Sequence, residues 1–192
     1  GILAILPFIL YLFFFRRIRD EEAHVPHEDG PQGGKLSGHF WISLFGFFAC
    51  IASEFAISFW SAALIRDRTD ATPAIATLAV VAFGSGMAIG RWYGPILLKQ
   101  WGIDAQLKIF IATQFIGFAS LWFSHNLTIS FFSLLVTGIG VSSQFTLSSL
   151  RLIGLSDARP DLAIGKSALA AGSAIALSPF VLGILGDHLG IS

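Results

Sequence analysis

The chain has 192 residues with a formal net charge of zero; 54% are hydrophobic, 12% are charged and 19 are Phe, and the mean hydropathy is +0.74. A soluble core of this size does not require that apolar excess, and a neutral chain without a basic face excludes nucleic acid as a partner. The single Cys50 excludes an intramolecular disulfide.

The first run, 1–15, is apolar from its first residue and too short to cross about 30 Å of hydrocarbon at about 1.5 Å per residue. Arg16, Arg17 and Arg19 follow it. A signal peptide carries its basic residues before the apolar core, so this run reads as the tail of a spanning helix at its cytoplasmic exit, its start missing. Segment 16–38 holds Asp20-Glu21-Glu22 and Gly30-Pro31-Gln32-Gly33-Gly34 and almost no large apolar residues, which predicts a flexible cytoplasmic linker. Its His24 and His27 have no further ligands in register, so neither a metal site nor any other cofactor is expected. Five apolar segments follow, near 39–65, 73–98, 107–124, 127–150 and 162–186, each long enough to cross a bilayer with some tilt. The gaps are short, so consecutive helices are antiparallel neighbours. The expected fold is all-α, a polytopic transmembrane helix bundle with the lipid bilayer as its solvent.

Loop charges orient it. With the linker inside, Arg16, Arg17, Arg19, Lys35, Arg91, Lys99, Lys108, Arg151, Arg159 and Lys166 are cytoplasmic, against Arg66 and Arg68 outside. Ten basic residues against two is a strong positive-inside bias, expected of a multi-pass protein of the plasma membrane. Trp41, Trp60, Trp92, Trp101 and Trp122 all fall near predicted span ends, as an aromatic belt requires.

Of the 24 acidic and basic side chains, only Glu54 sits in the middle of an apolar run. A charge at the bilayer centre costs roughly 2.5–3.5 kcal/mol even on the mildest scale, so its presence needs a reason. Ser43, Gly46, Cys50, Glu54, Ser58 and Ser61 recur three or four apart and form one small, polar stripe, expected to face protein or a water-filled cavity. Two readings stay open. Either Glu54 lines a cavity and binds solute or carries a proton, or it is structural and hydrogen-bonded to a neighbouring helix. Gln114 and Gln144 are intramembrane amides suited to a polar solute or to interhelical bonding. Trp60, about 9 Å beyond Glu54 by helix rise, is placed to stack on a solute or to anchor in the belt. Ser173 and Ser178 lie near Pro179 and would line a helix break there, although proline is itself ordinary in spanning helices. Asn126-Leu127-Thr128 has the form of a glycosylation site, but it abuts the membrane in a minimal loop.

Two motifs carry a family resemblance. Gly86-Met-Ala-Ile-Gly90-Arg91-Trp-Tyr-Gly94-Pro95 resembles the loop motif of the major facilitator superfamily in its looser second-half copy, between helices eight and nine. Gly90 stands where the strict motif has Asp, and the trailing basic pair is absent. Pro179-x-x-x-Gly183-x-x-Gly186-Asp187-x-x-Gly190 resembles the pattern at the outer end of helix eleven. The spacing of Glu54 and Trp60 is similar to sugar-permease-like branches. The resemblance implies the C-terminal half of such a transporter, from the end of helix six to helix eleven. Its implied partner is an N-terminal six-helix half, and its implied activity is secondary transport of a small solute by alternating access, ion-gradient coupled (protons among the candidates) or facilitative. Glu54, Ser58, Gln114, Gln144 and Trp60 are then the candidate solute or coupling residues. A non-transporting receptor or a channel is the alternative. An intramembrane enzyme is disfavoured, because the spans hold a single carboxylate and no clustered histidines.

Overall fold

The computed structural model describes residues 35–189, and every regular element among them is a helix. The run 1–15, the linker as far as residue 34 with His24 and His27, and Gly190 lie outside the described residues. The helices are α1 (Gly38–Thr69), α2 (Pro73–Leu97), α3 (Ile103–Phe123), α4 (Leu127–Val141), α5 (Gln144–Gly154) and α6 (Pro160–Leu189). Side-chain caps start three of them. Ser37 Oγ accepts from Phe40 N and Thr72 Oγ1 from Ile75 N, while Asn126 Oδ1 accepts from the N–H groups of Thr128 and Ile129 at 2.9 and 3.2 Å. The Asn126 Oδ1 atom is therefore committed to the α4 cap. Asp70, at φ 51°, closes α1 in the left-handed conformation.

Five stretches are long and apolar enough to cross a membrane: α1, α2, α3, the α4–α5 pair taken together, and α6 as far as Val181. Their outward faces are apolar; Phe45, Phe123 and Phe132 are all exposed, a surface suited to hydrocarbon. Contacts at the helix ends join end to end and start to start in helices that run the same way, and end to start in helices that run opposite ways. The Arg68 guanidinium, at the end of α1, lies 4.5 Å from the Trp122 ring at the end of α3. Lys166 near the start of α6 lies 5.7 Å from Trp41 near the start of α1, and Arg151 of α5 pairs with Asp104 of α3 at 2.6 Å.

Two expectations about helix continuity need correction. The segment 127–150 was expected as one run, but it is two helices meeting at Ser142–Ser143. Ser142 Oγ donates to Ile139 O at 2.7 Å, taking the carbonyl that the Ser143 N–H would use in a continuous helix. The Ser142 N–H is shared between Gly138 O and Ile139 O, and Ser143 has φ −112° and ψ 0°. Conversely, α6 runs unbroken through Pro179, with no break there for Ser173 and Ser178 to line. There the missing proline N–H leaves only the Ile175 carbonyl without its ladder donor.

Glycines set the closest approaches. A Cβ on Gly86 would collide with the Leu135 carbonyl, one on Gly90 with Ser142 Oγ, and one on Gly138 with the Phe83 carbonyl, so α2 and α4 touch backbone to backbone. Gly140, two residues and about 200° further round α4, leaves no room for a Cβ beside Gln114 N of α3. Gly117 of α3 likewise packs on Thr137. Thus α4 is wedged between α2 and α3. Two apolar cores lie along α1. Its C-terminal half contributes Ile57 and Ile65 to one with Ala79, Phe83, Leu121 and Leu134. Its N-terminal half contributes Phe40, Phe47 and Ile51 to another with Leu152, Ala163 and Ala174. Glu54 falls between them.

Candidate functional site

Beside the second of these cores lies a cavity of about 200 Å³. From α1 come Ile51, Glu54 and Phe55; from α2 Arg91; from the α4–α5 junction and the start of α5 Ser142, Phe145 and Thr146; from α6 Ala171 and Ile175. Glu54 reaches it because the apolar seam of α1 passes from Ile51 to Ile57, and position 54 is the turn where neither core covers the helix. Its carboxyl accepts no hydrogen bond and makes no ion pair within 4 Å among the described residues. The Ser58 hydroxyl, on the same stripe, is occupied with the Glu54 backbone carbonyl at 2.9 Å.

Arg91 does not end its helix. α2 continues six residues past it to Leu97, and the exposed guanidinium turns to the helix break, where Nε donates to Ser142 O at 3.2 Å. That carbonyl belongs to neither helical ladder, so the arginine supplies the donor that the break withholds. Its two terminal NH₂ groups remain uncommitted among the described residues. The site therefore presents a carboxylate and a guanidinium to one half-apolar space, with Phe145 braced against Phe47 at 5.3 Å between ring centroids.

The two amides come together elsewhere. Gln144 is buried and its Nε2 donates to Gly140 O at 2.8 Å and to Gln114 Oε1 at 2.6 Å; Gln114 Nε2 donates to Ser53 Oγ at 2.9 Å. A peptide carbonyl only accepts, which fixes the Gln144 amide and, through it, the Gln114 amide. Ser53 Oγ then donates to Cys50 O at 2.8 Å. This ladder ties α5, α3 and α1 together, and neither glutamine lines the cavity. Ser53 is the member that sequence reasoning missed; its signal was adjacency to Glu54, on the α1 face 100° away. Gln144 Oε1 is buried without a donor among the described residues. We expect Gln114→Leu and Gln144→Leu to be non-additive, with a coupling of about 0.6–1.7 kcal/mol in a double-mutant unfolding cycle in detergent micelles. Additive effects would mean that the ladder carries no energy.

Other sequence candidates have plainer surroundings. Trp60 is half-buried and does not line the cavity. Gly46, on the polar stripe, is exposed with open space at its Cβ position, so the lower end of the stripe is not a close-packing face. Gly86, Gly90 and Gly94 are buried, the last against the Phe110 ring of α3. In the helix-eleven pattern, Pro179 is half-buried and Gly183 meets nothing within 4 Å of a Cβ position; the Asp187 side chain and Gly190 are outside what the structure describes.

No protein-family model matches the chain, and no solved structure matches it. Among curated proteins it is similar to one of Sinorhizobium fredii (strain NBRC 101917 / NGR234) named "Uncharacterized transporter y4wD". The two are 24% identical over 163 residues, which make up 84% of this chain and 43% of that protein. The chain thus spans less than half the length of the curated relative it matches, and it is a distant relative of a protein named a transporter.

Proposed function

We propose that this chain is the C-terminal half of a secondary transporter of the major facilitator type, moving a small solute across the plasma membrane by alternating access. In this reading α1 to α6 form one of two bundles that rock about a shared midplane site, and residues 16–38 are the cytoplasmic linker between them. The N-terminal six-helix bundle is its partner, and the solute gradient or an ion gradient, protons included, drives it. One observation carries the reading: the only mid-span carboxylate and Arg91 line a single cavity where α1, α2, α6 and a broken span meet. Discontinuous spans at membrane depth are tolerated where they line such a cavity. The span-length helices and the distant relative's name support the same class. Trp60 stands away from the cavity, so a sugar-permease-like assignment draws its support from the Glu54–Trp60 spacing alone.

Accessibility tests it without knowledge of the solute. In the full-length protein, with Cys50→Ala and no other reactive thiol, Thr146→Cys places one thiol on the cavity wall. In sealed vesicles a membrane-impermeant maleimide is expected to label it from either face, incompletely in a short pulse from each. Labelling from one face only would end the alternating-access reading. Entry of the reagent itself through the protein would make it a channel.

A further inference from the structure

Two opposite charges face one cavity, and among the described residues neither is in an ion pair within 4 Å. Among the described residues the Glu54 carboxyl accepts from no donor, and the Arg91 fork is committed only through Nε. No other acidic or basic group among the described residues lines the cavity. Around the charges the wall is mixed, with Ile51, Phe55, Phe145 and Ile175 beside Ser142 and Thr146. Charged groups at membrane depth persist when something pairs with them.

We infer that the cavity selects small zwitterionic solutes, with the acid group on Arg91 and the ammonium on Glu54; this rests on the transporter reading above. The choice follows from comparing charge types. A monoanion satisfies Arg91 and is repelled by Glu54, and a monocation does the reverse. A neutral polyol offers hydrogen bonds but leaves both charges unneutralised. A zwitterion meets both with no net charge brought into the site, and the planar guanidinium suits a bidentate acid group. Within this half the space is about 200 Å³, and its apolar side accommodates a short side chain. The helix break contributes by anchoring Arg91, because its Nε is held by Ser142 O while the two NH₂ groups stay free.

The test uses the purified full-length protein in nanodiscs and five probes: alanine, glycine betaine, lactate, choline and glucose. Thermal unfolding is followed for each. We expect alanine or glycine betaine to raise Tm while lactate, choline and glucose do not. Arg91→Gln and Glu54→Gln should each weaken the zwitterion's binding about 30-fold or more, with Arg91→Lys and Glu54→Asp recovering part of it. The unliganded Tm of each variant reports whether it folds, and the conservative pair decides the matter if a neutral variant does not. A response to lactate alone, lost only in Arg91→Gln, would replace the zwitterion by an anion. A glucose response insensitive to both neutralisations, or no response to any probe, would overturn the proposal. If Thr146→Cys is still labelled from both faces, the transporter reading survives that failure. One-sided labelling would remove both.

Discussion

Gly138→Leu will prevent the chain from folding. At this position a Cβ already collides with the Phe83 carbonyl and meets Met87 N at 3.0 Å, and both belong to backbone that cannot rotate away. Relief requires α2 and α4 to separate. They cannot, because α4 is held from its opposite side by Gly140 against Gln114 of α3. Overpacking a well-filled interior costs about 1–3 kcal/mol, which is the expectation for Gly138→Ala; a leucine adds three further carbons to the same space. The measurement is the monodisperse fraction after detergent extraction, compared with Gly154→Leu, where a Cβ meets nothing within 4 Å. Equal yields from the two variants would show that α2 and α4 do not pack this closely.

In the full-length protein, Glu54→Gln will reduce gradient-driven solute uptake into vesicles about 30-fold or more while leaving thermal stability within about 0.5 kcal/mol of wild type. The two halves of that expectation have one cause. A structural glutamate needs donors on a neighbouring helix, and removing its charge strands them. Glu54 has no such donor among the described residues, so the neutral isostere orphans nothing. What it removes is the only carboxylate on the cavity wall among the described residues. Glu54→Asp should restore part of the rate. Uptake at the wild-type rate in Glu54→Gln would separate this residue from transport, and a large loss of stability would return it to a structural role.

The all-helical fold was legible in the chain because lipid imposes a simple rule: apolar runs of span length, with charges between them. Contacts between helices were much less legible, since they depend on how each helix is rotated. Gly86 and Gly90 announce close packing by their four-residue spacing, whereas Gly138 and Gly140 are two apart and serve opposite faces of α4. Proline at 179 is absorbed by its helix, whereas two serines at 142–143, close after Gly138 and Gly140, made a break that no proline announces. Gln114 and Gln144 stood out singly as polar residues in apolar runs. Their pairing with each other and with Ser53 needs the helix rotations, and so does the meeting of Arg91 with Glu54 across a cavity.

The wedging of α4 has a consequence for the order in which the bundle is made. The tight joints of α4 run to α2 and α3, which immediately precede it in the chain through loops of a few residues, so that block closes as soon as its third member is inserted. The contact of α1 with α6 joins the first and last described spans and has to wait for the end. Ala171 and Ile175 of α6 form one wall of the cavity. During synthesis, then, Glu54 stands on an open helix face until the last described span docks, and the site takes shape only as assembly finishes.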